Sequence, residues 1–84
     1  MYFSKGVIKY MDLAMFNKLL DESKISKAAI AKELGISRNS FYKRLSGEVK
    51  FTGHEMCQLA IMLRMTENEI LNIFFSDWVR KFKN

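Results

Sequence analysis

The stretch SKAAIAKELGISRNSFYKRLSG, Ser26 to Gly47, decides how the rest of the chain is read. Ser26 is a helix cap for Lys27 to Leu34, with Ile30, Ala31 and Leu34 facing inward at helical spacing. Gly35 follows the last apolar residue, where a left-handed C-terminal conformation requires it. Ser37 then caps a second short helix, whose inner residues Phe41 and Leu45 stand four apart, and Gly47 ends it. Ala31 is small enough to let the two helices approach, while Ile36, Phe41 and Leu45 lock them together. The segment is predicted to be two helices joined by a tight turn.

Working outward, Asp12 caps a helix to Glu22 that carries Leu13, Phe16, Leu19 and Leu20. Downstream, Thr52-Gly-His-Glu55 and Thr66-Glu-Asn-Glu69 both have the S/T-x-x-E form of a capping box. The first opens a helix with Met56, Leu59, Ala60 and Leu63 on one stripe, the second a helix with Ile70, Leu71 and Phe74. Five helices joined by short turns predict a compact all-α domain. The ends are open: residues 1–11 fit a short strand or an arm, and with Met11 next to the cap, residues 1–10 are expected to be dispensable. Phe75 to Phe82 either continues the last helix, aligning Leu71, Phe74, Trp78 and Phe82, or leaves it as a strand. The organisation is thus an N-terminal segment 1–11, a domain 12–74 and a C-terminal segment 75–84.

Composition narrows the class. Eighty-four residues suit one small domain and leave little room for an enzyme cleft plus its scaffold. A hydrophobic fraction of 49% can bury a core, and the absence of proline favours helices. One cysteine excludes an intrachain disulfide, and a single His with a single Cys excludes zinc-finger spacings. No apolar run reaches the ~20 residues of a membrane helix, and no signal pattern opens the chain, so a cytoplasmic location is expected.

The charge is concentrated. From Lys24 to Lys50 there are seven Lys and Arg against Glu33 and Glu48, a local +5 that equals the net charge of the whole chain. The remaining residues hold seven bases and seven acids and sum to zero. Such a basic surface suits a polyanion such as DNA or RNA, although a solvated lysine-rich face has the same composition.

The quoted pattern resembles the helix-turn-helix of the Cro/CI (XRE-like) phage-repressor family. The resemblance rests on Ile30-Ala31, Leu34-Gly35-Ile36-Ser37, the apolar Phe41 and the closing Gly47, and it extends from about Asp12 to Leu71. The Ser-Gly after Lys-Arg-Leu and the FFxxxV near the end look most like short repressor-like proteins of Gram-positive phages and prophages. The chain departs from the family where Arg44 replaces an apolar residue, Leu45 a Glu, Phe51 a Pro and Arg64 a Gly. The resemblance implies a five-helix lambda-repressor-like fold with the motif at its second and third helices. It implies a homodimeric transcriptional regulator that binds a pseudo-palindromic operator on double-stranded DNA and excludes RNA polymerase by occupancy.

Roles follow from how such a motif docks. A recognition helix enters the major groove by its N-terminal turns, so its outward residues Arg38, Asn39, Tyr42 and Lys43 are the expected base contacts. Arg38 suits guanine and Asn39 suits adenine. Expected phosphate contacts are Lys27, Ser37, Arg44, Lys50 and the backbone N–H groups of Ser46 and Gly47. The preceding helix crosses the backbone, which places Lys27 near a phosphate. His54 is expected at the surface, Cys57 as a small buried hydrophobe and the six methionines as core filling. No phosphate loop, nucleophile elbow or carboxylate pair suggests an enzyme, and no metal, cofactor or small-molecule effector is expected.

Assembly is the last expectation. The domain core should consist of Leu13, Phe16, Leu20, Ile30, Leu34, Phe41, Leu45, Leu59, Leu63, Ile70 and Leu71. Ile61 and Met62 are then left on a second stripe, and Phe74, Phe75, Trp78, Val79 and Phe82 form a C-terminal apolar cluster. That cluster either folds back over its own helices or forms a two-fold interface. An adaptor or antitoxin-type protein on the same fold is the alternative function; its third helix would carry acids or apolar residues where this one is polar and basic.

Overall fold

The computed structural model describes residues 11–82. Six helices and no strand occur among the described residues: α1 (Leu13–Ser23), α2 (Lys27–Leu34), α3 (Arg38–Leu45), α4 (Gly53–Met62), α5 (Glu67–Phe74) and α6 (Ser76–Phe82). The first five start behind the expected caps. Asp12, Ser26, Ser37, Thr52 and Thr66 each accept a hydrogen bond from the backbone N–H three residues on. Both capping boxes close reciprocally, so two otherwise unpaired N–H groups are satisfied at each of the starts of α4 and α5. Of the segment 1–11 expected as a short strand or arm, residues 1–10 lie outside the described residues, and Met11 belongs to the core instead.

The core is aromatic at its centre. The fully buried Phe16 ring packs on Phe51 at 5.7 Å and on Phe74 at 5.6 Å, and Phe51 reaches Phe41 of α3 at 6.1 Å, with tilted or edge-on geometries. These rings join α1, α3, α5 and the α3–α4 loop, with Leu20, Ile30, Ala31, Leu45 and Leu59 closing around them. Met11 and Phe16 are both buried at the N′ and N4 positions of α1, where a hydrophobic staple places its pair. The Asp12 N–H donates to the Ile73 carbonyl at 2.8 Å, which ties the start of α1 to the end of α5.

Two turns depend on glycine. Gly35 has φ +77 and its N–H donates to Ala31 and Lys32, closing α2 as its position predicts. At Gly47 the φ of +89 favours glycine, and a Cβ there would stand 3.1 Å from Leu13 Cδ1, which would have to shift by a few tenths of an ångström. Arg64 holds a left-handed φ of 52 with a full side chain, at the position where the resembling family carries Gly.

Several expectations change. Leu71 is 49% exposed, and Ile73 takes its place in the core. The stripes Ile70-Leu71-Phe74 and Ile70-Ile73-Phe74 both fit a helix, and the docking of α5 on α1 selects the second. Phe51 joins the core although it lies in a loop, outside any helical periodicity. Cys57 is exposed rather than buried, on the outer stripe of α4 with His54 and Ile61. The C-terminal segment is neither a continuation of α5 nor a strand. Phe75, at φ −122 and ψ 35, ends α5, and α6 starts anew, so Phe74 and Trp78 do not share a face: Phe74 is buried and Trp78 is 67% exposed.

Candidate nucleic-acid interface

Helix α3 carries the candidate reading face. Its Ser37 cap and its apolar pair Phe41 and Leu45, buried against the core, set its rotation. Arg38, Asn39, Tyr42 and Lys43 are all exposed: Asn39 and Lys43 point away from that pair, while Arg38 and Tyr42 lie on the flank toward the start of α2. The four expected base-contact residues are therefore all accessible, from the flank facing the start of α2 round to the outer side of α3.

The start of α2 lies alongside. Ser26 Oγ accepts the Ala29 N–H at 3.0 Å, while Lys27 and Ala28 occupy the first two helical positions, whose N–H groups have no intrahelical acceptor. Lys24, Ser26 and Lys27 line an open groove of about 400 Å³ with Arg38 and Tyr42 of α3, and Asp21 also contributes to it. A helix N-terminus bearing a lysine, next to two α3 side chains, is suited to holding a phosphate. The structure thus brings Lys27 to the same concavity as Arg38 and Tyr42, whereas Asn39 and Lys43 lie outside that groove.

Several groups of the expected phosphate set have partners within the chain. Arg44 was expected on a phosphate; its side chain is only 15% exposed and its Nε donates to Glu55 Oε1 at 2.9 Å. The Ser46 N–H donates to Tyr42 O at 3.0 Å and the Gly47 N–H to Arg44 O at 3.2 Å, so both of these donors already close the end of α3. Ser37 Oγ accepts from the Ser40 N–H and donates to Ser40 Oγ, both at 3.0 Å, which commits its proton to the cap. Lys50 is exposed in the loop before α4. Lys24 is an addition that sequence reasoning passed over, although it begins the basic segment.

Of the expected interface cluster, Phe74 is buried at 2% exposure with its ring on Phe16, so it is part of the monomer core. Phe75 and Trp78 are exposed, and Val79 is half-buried. The Phe82 side chain lies outside what is described. Among the described residues, no helix is long and apolar enough to cross a membrane.

The match to known families follows this geometry. The Cro/C1-type helix-turn-helix DNA-binding domain matches residues 15–76 of the 84. The chain belongs to that family. No curated protein and no solved structure gives a significant match. In this Cro/C1-type domain α2 and α3 are the helix-turn-helix, joined through the left-handed Gly35. The family is a DNA-binding one, so the basic segment from Lys24 to Lys50 lies on the DNA-binding motif itself. Within that segment Arg44 is paired with Glu55 of α4.

Proposed function

We propose that this Cro/C1-type domain is a sequence-specific transcriptional regulator of the phage repressor or Cro kind. It binds a pseudo-palindromic operator as a homodimer and excludes RNA polymerase by occupancy. The observation that carries this function is the exposed polar and basic face Arg38, Asn39, Tyr42 and Lys43 beside the α2 N-terminus. In the major groove, α3 presents Arg38 to the O6 and N7 of guanine and Asn39 to the N6 and N7 of adenine. Tyr42 and Lys43 reach further bases or the backbone. Lys27 and the α2 N-terminus hold a phosphate, and Lys50 a second one, which fixes the register without reading sequence.

The two-fold partner surface is assigned to the exposed apolar residues Leu71, Phe75 and Trp78 at the α5–α6 end, with Val79 beside them. A dimer through this end sets two recognition helices about one DNA turn, roughly 34 Å, apart. Phe82 stays in the interface assignment, whereas Phe74 leaves it.

A gel shift with genomic fragments flanking the coding sequence tests the function. Retardation of one fragment that survives excess random duplex is expected. Equal retardation of every fragment, abolished together by salt, would overturn sequence-specific regulation.

A further inference from the structure

The Arg44–Glu55 pair lies outside the reading face, and its geometry is more elaborate than a surface ion pair. Arg44 Nε and Nη2 donate to Glu55 Oε1 and Oε2 at 2.9 and 3.3 Å, a two-point contact between α3 and α4. Its Nη1 donates to the Ser40 carbonyl at 3.1 Å within α3. Glu55 Oε1 also accepts the Thr52 N–H at 3.0 Å, so the same carboxylate caps α4. Both side chains are nearly covered, at 15% and 10% exposure. The pair therefore links the last turn of the recognition helix to the first turn of α4.

Its placement on the helix matters. At about 100° per residue, Arg44 falls roughly 80° to one side of the line through Phe41 and Leu45, and Arg38 falls roughly 40° to the other. Packing of Phe41 and Leu45 holds α3 down, but a single apolar row tolerates some roll about the helix axis. A planar guanidinium bound at two points on one flank resists that roll, as an apolar side chain there would not.

Resting on the assignment of α3 as the reading helix, we propose that Glu55, acting through Arg44, is a positioning residue that sets the rotation of α3 and thereby the discrimination between DNA sequences. Neither residue touches DNA. The pair acts on selectivity rather than on electrostatic affinity.

The test uses the full chain, a duplex selected by the wild type from a random-sequence pool, and a scrambled duplex of the same length. Glu55→Gln is the informative variant, because Gln still accepts the Thr52 N–H and preserves the capping box while removing the charge that holds Arg44. Arg44→Met is the second variant, and both are compared at a temperature where circular dichroism shows them folded. A fall of about 5- to 10-fold in the selected-to-scrambled affinity ratio is expected for each, with scrambled-duplex affinity and salt slope unchanged. An unchanged ratio in both variants overturns the proposal. So does a phosphate-contact signature, in which Arg44→Met lowers the salt slope by about 1 and Glu55→Gln tightens binding to both duplexes. If the wild type selects no consensus, the functional assignment fails, and this proposal with it.

Discussion

Replacing Phe51 by alanine tests whether the loop between α3 and α4 is part of the core that supports the recognition helix. Phe51 is 4% exposed and stands edge-on between Phe16 and Phe41, at 5.7 and 6.1 Å. Truncating a buried phenylalanine costs about 3–5 kcal/mol in lost burial and cavity formation. An 84-residue domain has about 4–12 kcal/mol in all, so the loss is a large share of the total. The expected fall in Tm is about 12–40 °C. Urea titration followed by far-ultraviolet circular dichroism is the assay, at one fixed protein concentration so that assembly does not shift the midpoint. The internal control is Ile61→Ala, the truncation of an apolar side chain that is 78% exposed and lies outside the assigned interface, with an expected cost below about 1 kcal/mol. Equal losses in the two variants, or less than about 1 kcal/mol for Phe51→Ala, would refute the assignment of the loop ring to the core.

Arg64→Gly should raise Tm by a few degrees, because an L side chain at φ 52 carries a cost of about 1–2 kcal/mol that the greater unfolded-state entropy of glycine only partly offsets; a lowered Tm would show that Arg64 makes compensating contacts. Lys27→Ala and Lys50→Ala should weaken selected and random duplexes alike and reduce the salt slope by about 1 each, measured by fluorescence anisotropy from 50 to 200 mM salt. A loss confined to the selected duplex would move either lysine to a base-reading role. The double variant Phe75→Ala/Trp78→Ala should remain folded and sediment as a monomer where the wild type is a dimer; a folded variant that still dimerises would remove the α5–α6 end from the interface.

What was legible in the sequence was local. A cap is a single polar residue followed by its helix, so Asp12, Ser26, Ser37, Thr52 and Thr66 could all be placed without tertiary information. The inward residues of α2 and α3 were likewise readable, because those helices are short and amphipathic. Choices between two competent stripes were not. Helix α5 is apolar at Ile70, Leu71, Ile73 and Phe74, and only its docking on α1 determines that Leu71 faces out. The burial of Phe51 and the exposure of Cys57 are also properties of packing rather than of spacing.

At the interface, the outward positions of Asn39 and Lys43 could be derived from Phe41 and Leu45 alone. Arg44 could not, since its partner Glu55 lies eleven residues on and had a sufficient local explanation as a capping-box residue. The engaged N–H groups of Ser46 and Gly47 depend on how α3 terminates, with Ser46 still in a right-handed helical conformation and Gly47 left-handed. The groove that joins Lys27 to Arg38 and Tyr42 comes from the angle of the two helices, which residue types alone do not specify.

The most direct test of α3 as the reading helix is the affinity ratio, selected over scrambled duplex, for Arg38→Ala and Asn39→Ala against the wild type at one salt concentration. Each lost bidentate contact should lower that ratio by about 5- to 150-fold, equivalent to about 1–3 kcal/mol, with scrambled-duplex affinity nearly unchanged for Asn39→Ala. Ratios equal to that of the wild type in both variants, with folding intact, would contradict sequence reading by this face of α3.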